Sequence, residues 1–206
     1  MQPHAAFINP SALNFLLVGV GGQGTILASN VLAEVGMNLG FDVKQAEVHG
    51  MSQRGGSVTS QVRWAEQVFS PMISRGEADV LLAFEMSEAV RFIHHVKSSG
   101  VVLVNNHAIV PVTVTSGASS YPMQEDINQT LSGYTKHLTW LDGVSIAREA
   151  GNAKASNVVM LGALSTCFSY PAEIWRETLE KRVPARLLEI NLKAFESGRA
   201  AMDRQD

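Results

Sequence analysis

The sequence predicts a three-layer α/β/α domain with a largely parallel sheet and a helical C-terminal third. Three observations carry this. Short continuous apolar runs at 15–20, 79–84 and 101–104 have the form of strands buried on both faces. Amphipathic helical patterns follow the first two of them. From 157 onward the pattern is helical throughout.

FLLVGV at 15–20 is the first strand, after a loose, turn-prone lead-in over 1–13. The next element is a helix, since Leu27, Val31, Val35 and Leu39 recur at i+4, Ile26 and Leu32 widen the stripe, and Gly40 stops it. Strands follow at 42–47 and 57–64. The second is SVTSQVRW, with Val58, Ser60 and Val62 on one face and Thr59 and Gln61 on the other, and 65–67 is a turn into Val68 and Phe69. After the strand at 79–84, a helix has Met86, Val90, Ile93 and Val96 as its apolar positions. Residues 105–123 hold Pro111, Gly117 and Pro122, with a brief strand expected at 112–114. Then come a helix at 124–131, a strand at 138–141 and a helix at 144–150 ending on Gly151. Helices close the chain at 157–169, 172–182 and 185–202, the last two opened by Pro171 and Pro184.

Composition narrows the function. The chain is 46% hydrophobic and 17% charged, which fits one domain spanning 1–206. A net charge of −3 without a basic run argues against nucleic acid. The absence of an apolar run of about 20 residues argues against a membrane span, so a cytoplasmic location is expected. Cys167 is the only cysteine, so the chain alone cannot ligate an iron–sulfur cluster, and it reads as a small buried hydrophobe. His94 and His95 are adjacent on a predicted helix, with side chains about 100° apart, a poor arrangement for a shared metal. No metal site is expected. Nucleophile-elbow, HExxH and Walker A patterns do not occur.

Chemistry concentrates in two glycine clusters. GVGGQG at 19–24 ends a strand and opens a helix. There Gly19, Gly21, Gly22 and Gly24 permit a tight turn, and the helix start over Gly21 to Thr25, Gln23 included, offers N–H donors to an anion. The glycines could equally serve strand-to-helix packing. With Glu47, 23 residues past Gly24, the pattern also fits an autonomous NAD(P)-binding domain.

The second cluster, EVHGMSQRGGS at 47–57, opposes that reading, because it runs directly into SVTSQVRW rather than into a helix. Its loop should lie at the same sheet edge as GVGGQG, since parallel strands end together. Arg54 offers a fork of donors suited to a carboxylate or phosphate, or is a solvated surface residue. Gly55 and Gly56 allow close backbone approach, and Ser52 and Ser57 add short hydrogen-bonding groups. His49 is a proton carrier or a structural histidine.

In order, GVGGQG, EVHGMSQRGGSV, GEADVLLAFE at 76–85 and AGNAKASNVVMLGAL at 150–164 resemble the gamma-type subunit or domain of 2-oxoacid:ferredoxin oxidoreductases. Within that family the likeness is nearest to the smaller, beta-type subunit acting on indolepyruvate, through ILASNVLAE at 26–34 and EINLKAFESGRA at 189–200. The resemblance implies a gamma-type domain over about 14–200 that pairs with a larger alpha subunit. That subunit would carry thiamine diphosphate and iron–sulfur clusters, and the complex would oxidise an arylpyruvate to an acyl-CoA and deliver electrons to ferredoxin. It also singles out Asn152, which a helix-ending Gly151-Asn152 turn explains as well. Leu141-Asp142-Gly143 departs from the thiamine diphosphate pattern in its first residue, and Asn152 and Asn157 follow too soon. A pure assembly module is the third reading. Isolated, the chain could dimerise through surfaces meant for its partner.

Overall fold

The computed structural model describes residues 12–49 and 55–204. Strands β1 (Ala12–Val20), β2 (Asp42–His49), β3 (Ser57–Ala65), β4 (Ala78–Ala83), β5 (Val96–Asn105) and β6 (His137–Leu141) form one sheet in the order β2-β3-β1-β4-β5-β6. Pairs β1–β4, β4–β5 and β5–β6 are parallel, whereas β3 runs antiparallel to both β1 and β2. Five strands thus share one direction and β3 alone opposes them.

The helices are α1 (Thr25–Asn38), α2 (Met86–Phe92), α3 (Val112–Thr115), α4 (Gln124–Ser132), α5 (Gly143–Ala150), α6 (Ser156–Ser165), α7 (Ala172–Arg182) and α8 (Ala185–Asp203). Strand alternation sorts the core into two layers. Phe15, Leu17, Val80, Leu82 and Leu103 point into the layer that holds α1 and α5–α8. Leu16, Val18, Leu81, Val102 and Val104 point into the layer beneath α2 and α4. Each side chain of this size contributes roughly 1.5–3 kcal/mol when fully buried. Trp64 of β3 is fully buried, its ring 4.5 Å from that of Phe15 and 5.8 Å from that of Phe41.

Helices α6 and α8 approach closely because each offers a glycine to the other. A Cβ on Gly162 would stand 2.0 Å from the Phe195 carbonyl oxygen, and one on Gly198 would stand 2.0 Å from that of Val159. The ordinary cost of glycine in a helix, about 1 kcal/mol, is offset here by the contact that only glycine allows.

Several local expectations are corrected. β1 begins at Ala12 and Leu13 is buried, so the lead-in is shorter than the composition suggests. The second helix stops at Phe92. A single 3-10 turn, Ile93–His95, follows, and Val96 opens β5 instead of extending the apolar helix face. A register shift between Ala78 and Val80 lets that early stretch join the sheet, and a Cβ on Gly100 would stand 2.6 Å from Val96 Cγ1 and 3.0 Å from the Ala78 carbonyl oxygen. Val112–Thr115 is one helical turn, not a strand, since the Pro111 carbonyl accepts from the Val114 and Thr115 amides. α6 ends at Ser165, where the Ser165 and Thr166 hydroxyls bond back to the Gly162 and Ala163 carbonyls. Pro171 and Pro184 are N-caps, one position before the first helical turn. Ile26, expected on the α1 core stripe, is exposed.

Gly162→Ala is expected to lower stability by about 1–3 kcal/mol or more through overpacking, with the same sign for Gly198→Ala. Urea unfolding of the purified chain measures it, and an unchanged midpoint in both variants would show that the helices can separate without cost.

Candidate functional site

Because β1 and β2 both run against β3, their C-terminal ends meet at one sheet edge. Val20 pairs with Ser57 and His49 with Val58, so the start of β3 lies between them. The Gly21 amide donates to the Gly56 carbonyl at 2.9 Å, which joins the two glycine clusters directly. Gly22, Gly24 and Gly55 have φ of 104°, 77° and 75°, a region open to glycine and costly for other residues. Ser52, Arg54 and the side chain of His49 lie outside the described residues.

The first loop is held from below by side-chain amides. Gln23 accepts from the Val20 amide through Oε1 and donates from Nε2 to the Phe84 carbonyl, each at 2.8 Å, and so spans β1 and β4. The Gln23 side chain is therefore a clamp between the two strand ends. Asn157 donates from Nδ2 to the Gly24 carbonyl at 3.1 Å, and a Cβ on Gly24 would fall 2.4 Å from that nitrogen. Asn105 donates to the Phe84 carbonyl and accepts from the Gly143 amide, tying β4, β5 and the start of α5 together. Thr25 opens α1 with its hydroxyl buried and without a hydrogen-bond partner.

The second loop is held by a charge. Ser57 Oγ donates to the Glu88 carboxylate, which is buried and receives Arg91 Nε at 3.0 Å on its other oxygen. One turn earlier, Glu85 is buried and accepts from the Glu88 and Ile109 amides and the Ser87 and Tyr121 hydroxyls. Burial first, and Glu85 second, push the Tyr121 phenol well above the ordinary tyrosine range. Sequence reasoning missed Glu85, Glu88, Asn105 and Asn157. GNAKASN holds both asparagines, and Asn157 is the one that reaches the Gly24 carbonyl. Asn152 caps the 3-10 turn Ala153–Ala155, accepting from the Lys154 amide at 3.0 Å. Local turn chemistry accounts for it.

Glu47 is not placed as a dinucleotide acid. β3 intervenes between β1 and β2, so Glu47 sits two strand spacings from β1, about 10 Å, and Gln45 Nε2 donates to its carboxylate at 3.1 Å. The space beside Gly21 where a dinucleotide would continue is filled by the Gly56 carbonyl.

Thiamine diphosphate and iron–sulfur clusters do not fit the residues of this chain. Asp142 and Gly143 begin α5, with Asp142 accepting from the Ser145 amide at 3.0 Å as a helix cap. Cys167 is buried, and desolvation pushes its thiol up to about 12, which disfavours the thiolate a cluster requires. Among the described residues, no group of three or more His, Cys, Asp or Glu side chains could hold a metal ion. The His94 and His95 rings lie closer than a continued α-helix would put them, with centroids 4.5 Å apart. Burial, then the charges of His95 and Arg75, hold the His94 imidazole below its ordinary value. Among the described residues, no helix is long and apolar enough to cross a membrane.

An α/β/α sheet with one reversed strand and two glycine loops interlocked at one edge defines the class, an open α/β domain whose strand ends form a single glycine-rich edge. The chain belongs to the pyruvate ferredoxin/flavodoxin oxidoreductase family, whose model matches residues 14–201. It is 39% identical over 188 residues to the indolepyruvate oxidoreductase subunit IorB of Pyrococcus horikoshii, covering 90% of this chain and 93% of that one. The subunit of the same name from Archaeoglobus fulgidus is 37% identical over the same shares. Among solved structures, the fold is similar to the keto/oxoacid ferredoxin oxidoreductase gamma subunit of Geobacter sulfurreducens. The TM-score is 0.69 at 24% identity, covering 93% of this chain and 99% of that one. It also recurs in the 2-oxoglutarate:ferredoxin oxidoreductase of Magnetococcus marinus, with a TM-score of 0.70 at 20% identity, covering 94% of this chain and 31% of that longer one.

Gln23→Ala is expected to leave the Val20 amide and Phe84 carbonyl without their partner and to cost about 1–3 kcal/mol. Amide exchange would speed up at Val20 and Gly21, and wild-type protection there would show that the clamp is dispensable. Native Cys167 should resist a thiol-specific reagent at pH 8.5, because its thiolate forms only near pH 12, and should react fully in denaturant. Stoichiometric labelling of the folded chain would contradict its burial.

Proposed function

We propose that this chain is the smaller, cluster-free subunit of an indolepyruvate (arylpyruvate):ferredoxin oxidoreductase. The observation that carries the proposal is 39% identity sustained over 188 residues and 93% of a chain named as a subunit of that enzyme. The 28% identity to a pyruvate/ketoisovalerate gamma subunit of Pyrococcus abyssi spans only 149 residues, which favours the arylpyruvate class over smaller 2-oxoacids.

In this reading a larger alpha subunit carries thiamine diphosphate and iron–sulfur clusters and meets coenzyme A. The 2-oxoacid loses carbon dioxide, two electrons leave for ferredoxin, and the acyl group ends as a thioester. This chain's own contribution is a preformed edge. Within Gly21 to Thr25, Gly24 and Thr25 offer the helix-start amides, since the Gly21 and Gln23 amides are taken by the Gly56 and Val20 carbonyls. Gly55 and Gly56 let a partner or anionic group approach the backbone, with Ser57 fixed by Glu88. Arg54, flanked by Ser52 and His49, supplies the forked cation that grips a carboxylate or phosphate at the shared centre. The whole chain acts as one domain in this assembly.

Arg54→Ala should fold with an unchanged melting temperature yet lose on the order of 10- to 100-fold of complex activity, since one charge-assisted bidentate contact is worth about 1.5–3 kcal/mol. The assay uses chain co-expressed with its larger subunit, indolepyruvate, coenzyme A and an electron acceptor. Wild-type turnover together with wild-type association would refute the role of Arg54. Failure of the wild-type chain to form an active complex would refute the subunit reading itself.

A further inference from the structure

The connection between β5 and α4 has a chemistry unlike the rest of the surface. From Ser98 to Gln124 the sequence has no Asp, Glu, Lys or Arg. Within it, residues 106–123 run outside the sheet and none of them is buried. Val112 is 81% exposed, Met123 65% and Val110 47%. A strap without Asp, Glu, Lys or Arg that displays Val110, Val112 and Met123 to solvent leaves their hydrophobic area in water without a compensating fold contact.

The strap is nevertheless fixed in place. Glu85, fully buried at the end of β4, accepts from the Ile109 amide and the Tyr121 hydroxyl on one oxygen, gripping the strap near both its ends. Its other oxygen caps α2. The Met86 amide adds a bond to the His107 carbonyl at 3.1 Å. A buried carboxylate is an expensive anchor unless every lone pair is used, and here one oxygen is given to a strap that touches the core through Tyr121. Ordering the strap before a partner arrives lowers the entropic cost of docking.

We propose that the strap 106–123 is a docking surface for the larger subunit, seated against an uncharged, mainly apolar patch of that protein; this rests on reading the chain as a subunit. Depletion of charge with exposed aliphatic and methionine side chains is the composition of an interface core. Anionic lipid and nucleic acid would require cations that the strap lacks. The strap follows the C-terminal end of β5, so it borders the edge that holds the glycine loops and continues the same face. Its length is most of one side of a standard interface, roughly 20–30 residues. The fold also recurs as 31% of a longer polypeptide, where the remaining two-thirds is a covalent neighbour larger than the domain itself.

The test is a double variant, Val112→Asp with Met123→Lys. Both side chains are exposed, so the melting temperature should not change. Affinity for the larger subunit, by titration calorimetry, should fall ~10-fold or more, as for charge placed in an interface core. Tyr121→Phe keeps the apolar surface but releases one anchor, and should weaken association less than the double variant does. Wild-type affinity in the double variant, with the wild-type complex assembled and turning over indolepyruvate, would overturn the strap and leave the subunit reading intact. Loss of self-association of the isolated chain, with heteromeric affinity unchanged, would also overturn it by making the occupant a second copy. A wild-type chain that binds no larger subunit would remove both.

Discussion

The hydrogen bond from the Gly21 amide to the Gly56 carbonyl, and the β1–β3 register it extends, is the constraint on which the site depends. Two glycine clusters separated in sequence become one surface only because β3 turns back between β1 and β2. Antiparallel pairing sets Val20 opposite Ser57, and the next pair outward is Gly21 with Gly56. A β-carbon at either Gly24 or Gly55 would meet an unfavourable left-handed backbone, so the loops cannot be filled without moving that register.

Neutral amides hold the first loop and carboxylates hold the second. Gln23, Asn105 and Asn157 each offer a donor and an acceptor from one planar group, which suits a place where strand ends leave both kinds of backbone atom unpaired. Glu88 can hold Ser57 only because Arg91 balances its charge from the solvent side. Glu85 has no such cation among its described partners and relies on four donors, two of them helix-capping. Two amides and two hydroxyls share its oxygens beside the N-terminus of α2. The result is an edge whose shape is set before any partner binds.

The strands were legible because FLLVGV, DVLLAF and VVLV are buried on both faces, and double burial leaves a continuous apolar run. Strand order was not. SVTSQVRW alternates like a half-exposed strand, but Gln61 and Thr59 are buried too, Gln61 accepting from the Ile73 amide of a covering loop. Period-two patterning reports one packed face and is silent about a polar face closed by a loop. The run VTVT at 112–115 has high β propensity and forms a helical turn, because Pro111 starts it and no neighbouring strand pairs with it among the described residues. Placing GVGGQG beside the second cluster needed only the parallel-strand argument. Seeing that Asn157, not Asn152, reaches Gly24 needed the tertiary packing of α6 against the loop.

The two ends of the sheet differ in kind, and the difference bears on what each end faces. At the N-terminal end, charges stand near the surface in pairs: Lys97 with Asp79, Lys44 with Asp42, and Arg63 bridging Asn14 to the Ser70 and Met72 carbonyls. Exposed pairs of this sort add little stability, a median below about 1 kcal/mol, and are compatible with water on one side. At the C-terminal end the carboxylates of Glu85 and Glu88 turn inward and are consumed by the fold, and beside the exposed Glu47 and Asp142 the described surface is made of glycine loops and a strap without Asp, Glu, Lys or Arg. A surface meant for solvent gains nothing from withdrawing its charges and ordering its apolar residues. A surface meant for protein gains on both counts, because the strap brings no carboxylate, ammonium or guanidinium that must be stripped of water when the partner closes over it.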